Sequence, residues 1–175
     1  MTMPSLRTCA ISCVLAALGT GAVASEPSTE ATTAFAKLKA FRGQWVAKGP
    51  QGTTYITYSP AASDSVLLES MTGDKQNTMA AVYPTMMSVY HLDNDRLAMT
   101  HYCGQGNQPR MRADKLEGSR LRFAIIDVTN LPRSAASHMV AVTFTFKDAR
   151  SFRQAWINRA DGKEETWTFE FTRVE

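Results

Sequence analysis

The sequence predicts an all-β fold, an antiparallel up-and-down closed barrel of about ten strands with an N-terminal helix capping one end. Apolar and polar residues alternate from residue 43 onwards, which is typical of strands with one buried face. Short turn motifs separate these strands, so that strands adjacent in sequence pair with each other. Helical spacing occurs only before residue 43, which excludes helical crossovers between parallel strands. Closing the sheet into a barrel removes its two exposed edges.

The N-terminus predicts a secretory signal peptide over residues 1–24. Arg7 is the only charged residue before Glu26, and the apolar run from Thr8 to Leu18 is too short to span a bilayer. The run is followed by Ala22-Val23-Ala24, a small-x-small cleavage signal. We therefore expect a secreted or periplasmic bacterial protein. No other stretch predicts a transmembrane segment.

Charge and cysteine content narrow the classes of partner. The chain has 19 basic and 16 acidic residues and a formal net charge of +3. The basic side chains are scattered along the sequence, so no nucleic-acid partner is predicted. Cys9 and Cys13 leave with the signal peptide, and Cys103 then has no partner for an intramolecular disulfide. A lone cysteine is buried, reactive or bonded to another chain, and burial is the commonest of these.

Residues 25–40 are predicted to form a polar leader and one helix. Ser28 or Thr29 can cap the first free amide groups. Glu30 in the first turn and lysines in the last turn suit the helix dipole. Apolar residues recur on one helical face at Phe35, Leu38 and Phe41. Gly43 can adopt the left-handed conformation that ends such a helix.

Residues 41–175 are predicted to form the barrel. The strand-like runs are Tyr55 to Tyr58, Val66 to Leu68, Ala80 to Val82, Met87 to Tyr90, Leu97 to Cys103, Gln108 to Lys115, Leu121 to Asp127, Met139 to Phe146, Phe152 to Asn158 and Thr166 to Arg173. Hairpin turns are predicted at Asp93–Asp95, Glu117–Ser119, Lys147–Ala149 and Ala160–Gly162. The long connection from Val128 to Ser137 is expected to fold over one barrel mouth.

The stretch Phe41-Arg42-Gly43-Gln44-Trp45 places a Gly-x-Trp motif at the start of the first strand. A short helix followed by this motif and an antiparallel barrel resembles the calycins, which include lipocalins, fatty-acid-binding proteins and nitrobindin-like barrels. The similarity is strongest to small secreted lipocalin-like domains of bacteria. It implies structural roles for Gly43, for Trp45 at one barrel end, and for Arg173 across the indole ring, where a guanidinium is attracted to the ring face.

The stretch HYCGQGNQPRM, residues 101–111, is the candidate site. His101 and Cys103 share the more apolar face of their strand with Met99, so this face is expected to point inward. If the turn at Asp93–Asp95 has three loop residues, Met87 lies opposite His101. Gln108 and Arg110 return beside them after the glycine turn. The predicted ligand contacts are therefore His101, Cys103, Gln108, Arg110, Met87 and Met99.

Three functions fit this cluster. The favoured one is non-catalytic binding of a small apolar or amphipathic molecule, oriented by a few polar groups and needing no cofactor. The second uses His101 and Cys103, either as copper or haem ligands or as the base and nucleophile of a small enzyme. No acid is evident to orient His101, and no histidine follows His138 to match the haem ligand expected from a nitrobindin. The third is a filled barrel that acts through contacts with another protein.

Overall fold

The computed structural model describes residues 27–50, 52–74 and 85–175. One helix, α1 at Thr29–Lys39, precedes ten strands in the described part of the chain. The strands are β1 Gly43–Gly49, β2 Gly52–Ala61, β3 Val66–Gly73, β4 Thr85–Asp93, β5 Arg96–Tyr102, β6 Gln108–Ala113, β7 Arg120–Thr129, β8 His138–Phe146, β9 Ser151–Ala160 and β10 Lys163–Arg173. The predicted signal peptide and the predicted strand at Ala80 to Val82 lie outside the described residues.

The sheet is a closed barrel in which every strand is antiparallel to its neighbours in sequence. Closure occurs between β1 and β10, where Trp45 pairs with Arg173 and Val46 with Thr172. The prediction of an up-and-down antiparallel barrel with a helix near one end is confirmed. No helix within the described ranges is long and apolar enough to cross a membrane.

Helix α1 begins at an N-cap residue that the sequence encodes. The Ser28 side chain accepts a hydrogen bond from the Ala31 amide at 3.1 Å, as an N-cap residue does. The helix ends at Lys39, before Phe41. Phe41 therefore leaves the predicted helical face and stacks on Phe152, with the ring centroids 4.1 Å apart. This contact anchors the segment between helix and barrel to the core.

A cluster of aromatic side chains fills the end of the barrel beside α1. Trp45 is fully buried and donates its indole hydrogen to the Phe41 carbonyl oxygen at 2.6 Å. Its ring packs edge-on against Phe41 and Phe152 at centroid distances of 5.4 and 4.8 Å. Tyr58 and Phe144 complete the cluster around Phe41. This end of the barrel is packed with side chains.

Arg173 ties the last strand to this end. Its guanidinium carbon lies 4.3 Å from the centre of a Trp45 ring, and it donates hydrogen bonds to the carbonyl oxygens of Arg42 at 2.7 Å and Ala40 at 3.0 Å. Gly43 has a φ of +111°, and a Cβ atom there would lie 3.1 Å from Arg173 Nη1. Glycine therefore suits this position for two reasons, its backbone conformation and the close guanidinium. The structural contacts predicted for Gly43, Trp45 and Arg173 are present.

The hairpin between β4 and β5 differs from its prediction and changes what faces inward. Asp93 pairs with Arg96, which leaves a two-residue loop with Asn94 at φ 54°. The predicted three-residue loop was wrong, so the pairing shifts by one residue. Ser88, not Met87, lies opposite His101. Because successive side chains point to opposite faces of a strand, Ser88 is buried and Met87 is 40% exposed.

The long connection between β7 and β8 lies at the barrel end opposite α1. Arg133 forms an ion pair with Asp161 at 2.8 Å, and the Asp161 amide donates to the Ala135 carbonyl oxygen at 2.9 Å. Asn107, in the turn after β5, donates its side-chain amide to the Ser137 carbonyl oxygen at 3.0 Å. These contacts hold the connection beside two neighbouring turns at the same barrel mouth.

Candidate ligand-binding site

A cavity of about 360 Å³ occupies the half of the barrel away from α1. It falls within the size range of small-molecule sites. Its walls are mostly apolar, and its lining includes Ala47, Thr54, Met71, Met86, His101, Met139, Trp156 and Trp167. Gly49, Pro50 and Gly52, where β1 turns toward β2, also line it. The aromatic cluster fills the other half of the barrel, so the space that a ligand could use is at the open end.

His101 is the histidine in the cavity wall. It lies on β5 and is 3% exposed, and its ring packs on Trp156 with centroids 4.7 Å apart. Nδ1 is 3.0 Å from Ser88 Oγ. Nε2 is buried and has no hydrogen-bond partner among the described residues. Burial lowers the pKa of His101 from 6.5 to about 4, so the imidazole is neutral at neutral pH.

A buried carboxylate, Glu69 on β3, organises the polar interior of the barrel. Its Oε2 atom accepts hydrogen bonds from Tyr58 Oη at 2.5 Å, Tyr90 Oη at 2.9 Å and Gln154 Nε2 at 2.9 Å. Ser88 Oγ lies 3.3 Å from Oε1. Burial raises the pKa of Glu69, while these four hydrogen bonds act in the opposite direction. Glu69 thus connects through Ser88 to His101.

The orientation of the Gln154 amide follows from its neighbour Trp156. The indole nitrogen of Trp156 can only donate, and it lies 2.9 Å from Gln154 Oε1. The Gln154 nitrogen must then face the other way, where it lies 2.9 Å from both Tyr58 Oη and Glu69 Oε2. Trp156 therefore belongs both to the cavity wall and to the hydrogen-bond network.

Three of the six predicted ligand residues point into the barrel. His101, Met99 and Cys103 are 3%, 1% and 8% exposed, which is the burial expected of the more apolar face of their strand; their role as ligand contacts stays a prediction. Of these three residues, only His101 is among those that line the cavity. Burial raises the pKa of the Cys103 thiol, which disfavours the thiolate that a nucleophile or metal ligand requires.

The other three predicted ligand residues lie away from the cavity, and their expected position was wrong. Met87 points outward because of the register described above. Arg110 also faces outward and forms a two-point ion pair with Asp127 at 2.6 and 2.5 Å. Gln108 bonds the Gly106 carbonyl oxygen at 3.0 Å and accepts from Thr129. Gln108 therefore stabilises the turn that precedes β6.

The prediction missed Glu69, Ser88 and Gln154. Two of them carried a signal, a polar residue at an inward position of a period-two apolar pattern. Glu69 lies between Leu67 and Met71 on one strand face, and Gln154 between Phe152 and Trp156 on another. The position of Ser88 depended on the β4–β5 loop length and carried no such signal. Glu69 is thus the acid that orients His101, and it acts through Ser88.

In the described ranges, no three His, Cys, Asp or Glu side chains are grouped closely enough to hold a metal ion. His101 lines the cavity, whereas Cys103 is not among the lining residues. Copper or haem binding at His101 and Cys103 stays a prediction.

Fold and site together define a closed ten-strand antiparallel barrel with one half packed and one half hollow. This architecture is consistent with a calycin-like fold. No protein-family model matches the chain, and no curated protein is similar to it. The residues of the cavity are therefore the guide to function.

Proposed function

We propose that this protein is a secreted, periplasmic barrel that binds one small apolar or amphipathic molecule in its cavity without transforming it. The observation that carries the proposal is the Nε2 atom of His101, which is buried in a mostly apolar wall and has no hydrogen-bond partner in the described part of the chain. An unsatisfied buried polar atom costs about 1–3 kcal/mol. A ligand that pairs with this nitrogen would recover that cost.

The shape and chemistry of the cavity support a binding role. One end of the barrel is packed, so a ligand would enter from the other. Trp156 and Trp167 are paired on adjacent strands and both face the cavity. Two indole rings offer a large apolar contact area to a ligand. A mostly apolar pocket with one polar group is a common design for orienting an apolar ligand.

The position of Cys103 favours binding over catalysis. A nucleophilic thiol must reach the substrate and lose its proton readily. Cys103 lies outside the cavity lining, and burial raises its pKa. His101 is oriented through Ser88, but its low pKa makes it a weak base. The signal-like residues 1–24 support the periplasmic location.

Native mass spectrometry of protein purified from its own periplasm tests the proposal. Three proteins are compared: the unchanged protein, His101→Phe and His91→Phe. His101→Phe keeps a ring against Trp156 but removes both nitrogens. His91 lies on β4, partly exposed and paired with Ala98 and Val66, so its variant controls for the substitution itself.

A co-purifying molecule in the unchanged protein and in His91→Phe, reduced or lost in His101→Phe, is the expected result. Apo masses in all three proteins, together with no binding of a fluorescent apolar probe, would contradict the proposal and favour the filled barrel. A copper mass or a Soret band lost in His101→Phe would instead establish the metal or haem alternative.

A further inference from the structure

We infer that the polar group of the ligand is a hydrogen-bond donor, an alcohol, phenol or N–H, and not a carboxylate or a carbonyl. The inference deepens the proposed function and rests on it. It follows from which group donates and which accepts in the two hydrogen bonds that link Glu69, Ser88 and His101. The donors that surround Glu69 fix these roles.

Three hydrogens converge on one oxygen of Glu69. Trp156 orients the Gln154 amide so that its nitrogen donates to both Tyr58 Oη and Glu69 Oε2. The Tyr58 oxygen accepts that hydrogen and directs its own toward Glu69 Oε2. Tyr90 adds a third donor to the same oxygen. Oε2 of Glu69 is therefore the acceptor of three hydrogen bonds.

This arrangement is that of an ionised carboxylate. The carbonyl oxygen of a neutral acid has two lone pairs, whereas a carboxylate is an acceptor at both oxygens and is stabilised by several donors. A buried carboxylate needs such donors, because burial without them favours the neutral acid. With Glu69 ionised, Oε1 is also an acceptor, and Ser88 is the donor placed beside it.

The position of the ring hydrogen on His101 follows from counting the hydrogens in these two hydrogen bonds. Ser88 has one hydroxyl hydrogen, and giving it to Glu69 leaves only lone pairs to face His101. Nδ1 of His101 must then carry the ring hydrogen and donate it to Ser88 Oγ. A neutral imidazole has one such hydrogen, so Nε2 carries a lone pair; this nitrogen is buried without a partner among the described residues, on a histidine that lines the cavity. A carboxylate or carbonyl oxygen there would place one lone pair against another.

Glu69→Gln reverses the donor and acceptor roles in the hydrogen bonds from residue 69 to His101, with little change in side-chain shape. The oxygen of the introduced amide can keep the three donors, while its nitrogen faces Ser88 and donates to it. Ser88 then donates to Nδ1 of His101, and the ring hydrogen moves to Nε2. Ser88→Ala is a second variant, which interrupts the chain and leaves neither ring nitrogen favoured.

The first measurement is NMR of isotope-labelled imidazole nitrogens in the full protein without ligand, with the His101 signals assigned from their loss in His101→Phe. At neutral pH we expect hydrogen on Nδ1 in the unchanged protein, on Nε2 in Glu69→Gln, and a mixture in Ser88→Ala. Hydrogen on Nε2 in the unchanged protein would overturn the inference, whatever binds in the cavity.

The second measurement is calorimetric titration with three probes of equal chain length: decanol, its methyl ether and decanoate. We expect decanol to bind the unchanged protein about tenfold more tightly than either other probe, the scale of one hydrogen bond. In Glu69→Gln the ratio of the affinities for decanol and its methyl ether should fall toward unity, because the oxygen of either probe can accept a hydrogen bond from Nε2.

The two measurements separate the two proposals. Equal or tighter binding of the ether or of decanoate by the unchanged protein would overturn the inference while leaving a binding function in place. Failure of all three probes to bind would contradict the proposed function and with it the ligand class. The tautomer measurement then still reports on the hydrogen-bond chain by itself.

Discussion

Replacing Trp45 by alanine tests the packed end of the barrel. Trp45 is fully buried and contacts three parts of the chain. Its rings pack on Phe41 and Phe152, its indole nitrogen donates to the Phe41 carbonyl oxygen, and Arg173 lies over its face. The substitution removes all of these contacts at once and leaves a cavity where β1 meets β10.

The loss in the free energy of unfolding has two main sources. Truncating a buried aromatic side chain to alanine costs about 3–5 kcal/mol. The Phe41 carbonyl oxygen would also lose its buried donor, which costs about 1 kcal/mol more. Arg173 loses an aromatic face but keeps its bonds to Ala40 and Arg42. We expect the free energy of unfolding to fall by about 4–6 kcal/mol, a large share of the roughly 5–15 kcal/mol that is typical of folded domains.

Urea unfolding followed by circular dichroism measures this change. Trp45→Phe is the matched control, since it keeps an aromatic ring but loses the indole hydrogen bond, and it should cost about 1–2 kcal/mol. Trp167→Phe, at the hollow end, controls for the loss of a tryptophan elsewhere and should have a smaller effect than Trp45→Ala. A loss below about 1 kcal/mol for Trp45→Ala would refute the role of Trp45 as the barrel-end anchor.

Three further predictions follow from the site. Burial lowers the pKa of His101 from 6.5 to about 4, so the unfolded chain takes up the proton first and stability falls as pH drops through this window, by about 3 kcal/mol. Urea titrations of His101→Phe should lack this contribution, and the same pH dependence in both proteins would contradict the prediction. Cys103 should react with iodoacetamide at least about tenfold more slowly in the native protein than in urea, as mass spectrometry of its peptide will show; equal rates would mean an accessible thiol. Arg110→Ala should leave the affinity for decanol unchanged, because the Arg110–Asp127 ion pair lies on the outer surface. Weaker binding of decanol would show that Arg110 contributes to the site.

The pH prediction requires a comparison between variants, because Glu69 titrates in the opposite sense. Burial raises the pKa of Glu69, so the native state holds this proton at a pH where the unfolded chain has released it. Glu69 therefore reduces stability as pH rises from about 4.5 toward its folded pKa. The difference between the unchanged protein and His101→Phe isolates the His101 contribution, provided that Ser88 keeps its bond to Glu69.

The candidate site could be predicted only in part. Alternation along β5 placed His101 inside the barrel, since a strand turns successive side chains to opposite faces. The same reasoning applied to Leu67, Glu69 and Met71 would have found the buried acid. Met87 and Ser88 could not be assigned, because a loop of two residues in place of three exchanges the two faces of the neighbouring strand. Turn residues such as Asp93-Asn94-Asp95 are compatible with either loop length.

The sequence by itself determined the class of fold, because alternation and turns act over a few residues and leave antiparallel neighbours as the one available pairing. The barrel-end contacts of Gly43, Trp45 and Arg173 were expected only through the resemblance to the calycins that the Gly-x-Trp motif carries. Only the tertiary structure decided what the interior holds. Glu69, Ser88, His101 and Gln154 lie on four different strands, and closure of the barrel brings them together. Whether such residues meet depends on loop lengths and register across the whole sheet, which no local pattern encodes.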